Sequence, residues 1–169
     1  MERATEPRQR VDIYLNLLNS IFASAKTSTQ QGFLTRDGWV QAAKYVKDLI
    51  NLLNEPSIKA IIALSKKEQI VLEDGTLNSI DVEKSIVPSF ISFLQKLDSE
   101  LLKAFQNTLF TKFEYLQRIR DENKFLFLCD DVSAFIAQHS QVENSNTARI
   151  ALLKLDHIYY KNDTLYQKF

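Results

Sequence analysis

One cysteine, three glycines and three prolines in 169 residues restrict what this chain can build. The lone Cys129 excludes an internal disulfide and a cysteine-rich zinc site, and it suits a reducing compartment. All-β domains need many turns, and turns draw on glycine and proline, so their scarcity favours long helices joined by few loops. The glycines, Gly32, Gly38 and Gly75, lie too far apart for a phosphate-cradling loop. Surplus charge is also missing, because 21 Lys and Arg balance 21 Asp and Glu. No overall basic field exists to recruit nucleic acid, which leaves only a local patch for RNA. No run approaches the roughly 18 apolar residues that span a bilayer. The charged start, Met1 to Arg8, lacks the apolar stretch of a signal peptide. The expectation is a soluble, cytoplasmic chain with no membrane partner.

What is present is a globular composition, 45% apolar and 25% charged. The apolar residues recur at helical spacing. Val11, Tyr14, Leu15, Leu18, Ile21, Phe22 and Ala25 mark one face of a first helix, with Thr5 as its cap and Pro7 in its opening turn. A second helix starts near Thr35, with Asp37 favouring its positive end. It carries Trp39, Ala42, Ala43, Val46, Leu49, Ile50 and Leu53, and ends at Asn54-Glu55-Pro56. Trp39 is expected in the core, fastening this helix to the first.

Ser57 is placed to cap a third helix through Ile58, Ile61, Ile62 and Leu64. Gln69 to Leu72 reads as a short strand without a convincing pairing strand, and Asp74-Gly75 as a turn. A fourth helix is expected from Asn78 or Ser79, kinked or broken at Pro88 and continuing through Phe93, Leu97, Leu101 and Phe105. A fifth follows from Leu109, with Asp121 to Lys124 as a break or an exposed turn, and helix again from Phe125 to Ile136. A last helix covers Thr147 to Asn162, and another is expected to start at Asp163 or Thr164. The reading is all-α: one helical-repeat domain over residues 1–169, built from antiparallel hairpins stacked as a solenoid of the PCI or TPR kind, and part of a longer protein.

No catalytic constellation emerges, and no cofactor is expected. Asp156-His157 invites a metal reading, but adjacent helical residues point about 100° apart. A histidine bonded to a neighbouring helix is the plainer reading. Asp130-Asp131 has no partner for acid–base work and reads as a solvated face. Cys129, among Phe127, Leu128 and Val132, reads as a small buried residue rather than a nucleophile. Lys112, Arg118, Arg120 and Lys124 read as an exposed charged face. Phe125 to Leu128 is apolar at four successive positions, which implies burial on both sides or a partner surface. The candidate contact residues lie in the Thr147–Asn162 helix and just beyond it. Tyr159, Tyr160 and Tyr166 offer rings for stacking on bases or partner side chains, and Arg149, Lys154, Lys161 and Lys168 offer charge for phosphates. The competing reading packs Tyr159 against the next helix and leaves only the Tyr160 hydroxyl in water.

Three segments carry a resemblance. Gly38-Trp39 begins the first, which closes at Leu52-Leu-Asn-Glu-Pro-Ser-Ile58. The second is Phe93-Leu-Gln-Lys-Leu-Asp-Ser-Glu100 with Gln106-Asn107-Thr108, continued by Glu114-Tyr115-Leu116. The third and most distinctive is Ala148-Arg-Ile-Ala-Leu-Leu-Lys-Leu-Asp-His-Ile-Tyr-Tyr-Lys161, with Asp163. In order and spacing, from about Val11 to Asp163, the chain resembles the C-subunit family of eukaryotic translation initiation factor three. That resemblance implies a non-catalytic helical scaffold that supports preinitiation-complex assembly on the small ribosomal subunit. It implies the factor's other subunits as partners, notably the A-subunit, together with the small ribosomal subunit and ribosomal or messenger RNA. The charged N-terminal tail and the winged-helix end of the family are not seen here. The alternative is a helical adaptor of another assembly, such as a proteasome lid, a COP9-like complex or a trafficking coat.

Overall fold

The computed structural model describes residues 7–27, 34–67, 86–107, 111–139 and 145–168, with the side chains at 7, 25–27, 61, 63–67 and 167–168 left aside. Six helices occupy these residues: α1 (Pro7–Thr27), α2 (Arg36–Leu53), α3 (Pro56–Lys67), α4 (Val87–Asn107), α5 (Lys112–His139) and α6 (Ser145–Lys168). The all-α expectation holds, and there is no strand among the described residues. The expected Thr5 cap, the Gln69–Leu72 strand, the Asp74-Gly75 turn and the Asn78 or Ser79 cap lie outside the described residues.

The ends of the helices follow local chemistry. Thr35 caps α2, and its Oγ1 accepts from the Gly38 N–H at 3.2 Å. Asn54 closes α2, with its N–H on the carbonyls of Ile50 and Asn51. Pro56, whose missing N–H costs nothing at a first helical position, then opens α3. The α3 start therefore falls on Pro56 rather than after Ser57. Pro88 sits in the first turn of α4 as described, and the stretch from Asn78 or Ser79 expected to kink or break there lies outside the described residues. Thr111 and Glu114 form a reciprocal capping box at the start of α5. The Thr111 N–H donates to Glu114 Oε2 at 2.9 Å, and the Glu114 N–H to Thr111 Oγ1 at 3.2 Å. Asp121 to Lys124, expected as a break or exposed turn, is the uninterrupted interior of α5. Asp163 and Thr164 likewise lie inside a continuous α6.

Side-chain pairs set the helix directions. Arg10 meets Glu55 and Tyr14 meets Tyr45, so α1 and α2 are antiparallel. Leu34 and Trp39 reach Glu100 and Leu97, which makes α2 and α4 antiparallel. Phe90 packs edge-on to Phe135, with ring centroids 5.6 Å apart, across antiparallel α4 and α5. Asp130 pairs with Lys154 and Glu122 with Lys161 across antiparallel α5 and α6. Along α1, α2, α4, α5 and α6, each helix packs against the next and against the next but one. Helix α3 packs on α2, and its Ile58 and Ile62 are buried.

The core runs without interruption from Val11 to Ile150. Trp39, Phe90, Phe93, Phe105, Phe125 and Phe135 are its largest fully buried side chains, each stabilising the fold by about 1.5–3 kcal/mol or more through burial. Trp39 is buried as expected, but its Nε1–H donates to the Leu97 carbonyl at 2.9 Å. Its polar edge therefore ties α2 to α4 rather than to α1.

Candidate functional site

Helix α6 separates two faces by spacing alone. Ile150 and His157, seven residues apart, are buried, and Leu153, Lys154, Lys161 and Leu165 flank them half-buried. Leu152, Leu155, Tyr159 and Tyr166 follow one another at steps of three, four and seven on the opposite side. Their exposures are 57%, 65%, 66% and 86%. On α5, Phe113, Leu116 and Phe127 are exposed as well, the phenylalanines at 68% each. The Phe125–Leu128 run is thus not buried on both sides, since Phe125 and Leu128 are core and Phe127 points to solvent.

The inner face of α6 carries a closed charge network. His157 is fully buried between two carboxylates, with Nδ1 2.6 Å from Asp98 Oδ1 of α4 and Nε2 3.0 Å from Glu122 Oε2 of α5. Lys161, one turn on, donates to Glu122 Oε1 at 3.0 Å. Phe125 lies against the imidazole, with centroids 5.1 Å apart. Burial opposes the charged imidazole, but the hydrogen bonds to Asp98 and Glu122 outweigh it and hold the pKa above the ordinary 6.5. Burial likewise opposes an ionised Glu122, and the bonds from His157 and Lys161 hold its carboxyl below the usual 4.5. The ring stands between the carboxylates, with both nitrogens already used. Among the described residues no group of three or more His, Cys, Asp or Glu is arranged to hold a metal ion.

A second network lies at the α2–α5 contact. Asp121 is fully buried and receives Arg36 Nε at 3.1 Å and Arg118 Nη1 at 3.5 Å. Arg118, read from sequence as part of an exposed face, is itself buried, and desolvation lowers its pKa even though Asp121 pulls the other way. Asp130 and Asp131 each take a lysine from another helix, Lys154 of α6 and Lys47 of α2. Cys129 is buried, and desolvation pushes its thiol up to about 12, which leaves no thiolate near neutral pH.

The candidate contact residues divide three ways. Arg149, Tyr160 and Tyr166 are exposed, and Tyr159 stacks edge-on with Tyr160 at 5.3 Å rather than packing inward. Lys154 and Lys161 face α5 and are ion-paired. Lys168 ends α6, and its side chain lies outside the described residues. Sequence reasoning missed Asp98, Glu122, Arg36 and Asp121. A signal existed, because the core register of α5 through Phe125, Cys129, Val132 and Ile136, continued backwards, lands on Arg118, Asp121 and Glu122.

Fold and site together define an all-α protein of packed helical hairpins, with buried ion-pair networks between its helices and large apolar side chains on the outer face of its last one. Residues 1–168 match the family model described as the N-terminus of eukaryotic translation initiation factor 3 subunit 8, and the chain belongs to that family. It is similar to the C-subunit of eukaryotic translation initiation factor 3 from Lodderomyces elongisporus, 31% identical over 165 residues that cover 92% of this chain and 19% of that protein. The corresponding protein of Scheffersomyces stipitis is 29% identical with the same coverage. That of Emericella nidulans is 23% identical over 95% of this chain and 19% of its own length. The chain thus spans about a fifth of the length of the curated relatives it matches. No solved structure matches it.

Proposed function

We propose that this chain is a non-catalytic scaffold of eukaryotic translation initiation factor 3, a single helical-repeat unit over residues 1–169 that helps hold the factor on the small ribosomal subunit in the cytoplasm. Family membership supports the factor. The observation that carries the scaffold reading is the outer face of α6, where Leu152, Leu155, Tyr159 and Tyr166 stand in solvent. Apolar side chains gathered on one helix face mark a surface for another protein. Packing of each of α1, α2, α4, α5 and α6 on its next two neighbours in that order supports the stacked-array reading. No described helix is long and apolar enough to cross a membrane.

The factor's other subunits, its A-subunit among them, and small-subunit ribosomal proteins are the partners this face suits. Aromatic anchors such as Tyr159 and Tyr166 concentrate affinity on such surfaces. Contact with ribosomal or messenger RNA through Arg149, Tyr160 and Tyr166 is a lesser part of the reading, because Lys154 and Lys161 are committed to carboxylates of α5. Replacing Leu155 and Tyr159 together by Glu is expected to leave folding intact, since both are exposed, and to abolish co-purification with the factor's other subunits. Unchanged recovery of those subunits would overturn the reading. Recovery of proteasome-lid or coat proteins in their place would favour the adaptor alternative.

A further inference from the structure

The geometry points to a proton-dependent clasp: a doubly protonated His157 locks α6 onto α4 and α5 at once, and loss of its proton releases one of the two ties. A neutral imidazole has one N–H and one bare lone pair. Here both ring nitrogens face carboxylate oxygens, at 2.6 Å and 3.0 Å. A lone pair pressed against a carboxylate at such distances repels it, so either the ring is charged or a carboxyl carries the proton. Glu122 also accepts from Lys161 at 3.0 Å, which favours its ionised form. Imidazole is also a stronger base than a carboxylate by roughly two pKa units, so the ring rather than either carboxyl holds the proton. The site closes on itself, with two anions, Asp98 and Glu122, against two cations, His157 and Lys161.

The position of His157 is what gives the proton its leverage. The residue stands on α6 and grips α4 with one nitrogen and α5 with the other, so three helices meet in one ring. The neighbouring charges are already matched. On the α5–α6 contact, Asp130 is paired with Lys154. On the α2 side of α5, Asp121 is paired with Arg36 and Arg118. Full burial keeps water from replacing a broken bond cheaply.

The sign follows from linkage. The folded-state pKa of His157 lies above its ordinary 6.5, so its stabilisation is complete below 6.5 and is lost as pH rises through the folded value. Glu122 works the other way: its pKa lies below 4.5, so its contribution is present above 4.5 and is lost as pH falls through the lowered value. The clasp is therefore tightest in mildly acidic solution and loosens on both sides. The helix it releases is the one with the exposed apolar outer face.

The test uses the whole chain and the nitrogen and carbon resonances of the imidazoles, with His139 as the internal comparison. At about pH 7, His157 is expected to show both ring nitrogens protonated and to titrate above 6.5. The melting temperature should fall between about pH 6 and about pH 9, with loss of amide protection concentrated in α6. The Asp98→Asn variant keeps a hydrogen-bond acceptor without its charge. It should bring the His157 titration down towards 6.5 and flatten that fall. In His157→Gln the fall should be absent. If that variant does not fold, the wild-type and Asp98→Asn titrations carry the test alone. A neutral, single-tautomer His157 at about pH 7, or an undiminished fall in Asp98→Asn, would overturn the clasp.

Discussion

Trp39 illustrates how a single side chain does two jobs here. It is 1% exposed, and its indole N–H is bonded to the Leu97 carbonyl across the α2–α4 contact. Its helical register made burial legible from sequence, but not the helix it would tie. Replacing it by Ala is expected to cost about 3–5 kcal/mol by opening a cavity. Replacement by Phe keeps much of the packing and loses the donor, while the Leu97 carbonyl keeps its place in the α4 ladder, for a loss of about 1 kcal/mol. Denaturant titration of the two variants separates the terms. A loss below about 1 kcal/mol for the Ala variant would show that the indole is not core. Asp121 and Arg118 teach the opposite lesson at the same scale. Both read as surface charge in sequence and both are buried, because each supplies the other's counter-charge and Arg36 completes the set. Such networks contribute little net stability, since desolvation offsets much of their attraction.

Among the elements, α5 and α6 depart furthest from a simple amphipathic pattern. Helix α5 buries Arg118, Asp121 and Glu122 on the same side as Phe125 and Cys129, while Phe113, Leu116 and Phe127 face outward. Its charged residues suggested a break, and the partners on α2 and α6 make their burial in a continuous helix tolerable. Its start, by contrast, is fixed locally by the Thr111–Glu114 capping box. Thr111→Ala is expected to destabilise the chain by about 1 kcal/mol and to fray the first turn of α5, seen as faster amide exchange near Glu114. An unchanged stability would mean that tertiary packing alone sets that end. Helix α6 is apolar on two sides, and sequence spacing identified its helical state without saying which side faces inward. His157 decides this, because its two carboxylate partners lie on α4 and α5.

For the whole molecule, the relevant fact is a core that continues from α1 to α6. Contacts link each of α1, α2, α4, α5 and α6 to its next two neighbours in that order, and α3 to α2, so no plane divides the described residues into independent halves. Thermal unfolding followed by Trp39 fluorescence and by far-UV circular dichroism should therefore give coincident transitions. Fluorescence that changes well before the helical signal would mean that the α1–α2 end melts separately from the α5–α6 end.

Fold class, the helices and most of the buried apolar residues follow from the sequence alone. Helical periodicity is a local property, and scarce glycine and proline leave few alternatives to it. The family was legible for a related reason, because order and spacing of short words survive along the chain. The interior charges were decided only by the tertiary structure. A carboxylate or a guanidinium reads as surface unless its counter-ion is known, and here the counter-ions stand far away in sequence: Arg36 for Asp121, Asp98 and Glu122 for His157. The same holds for the lysines of α6. Lys154 and Lys161 look available until α5 brings Asp130 and Glu122 to them. Partners distant along the chain meet only when helices pack, and where they are buried, as at Asp121 and His157, pairing becomes obligatory.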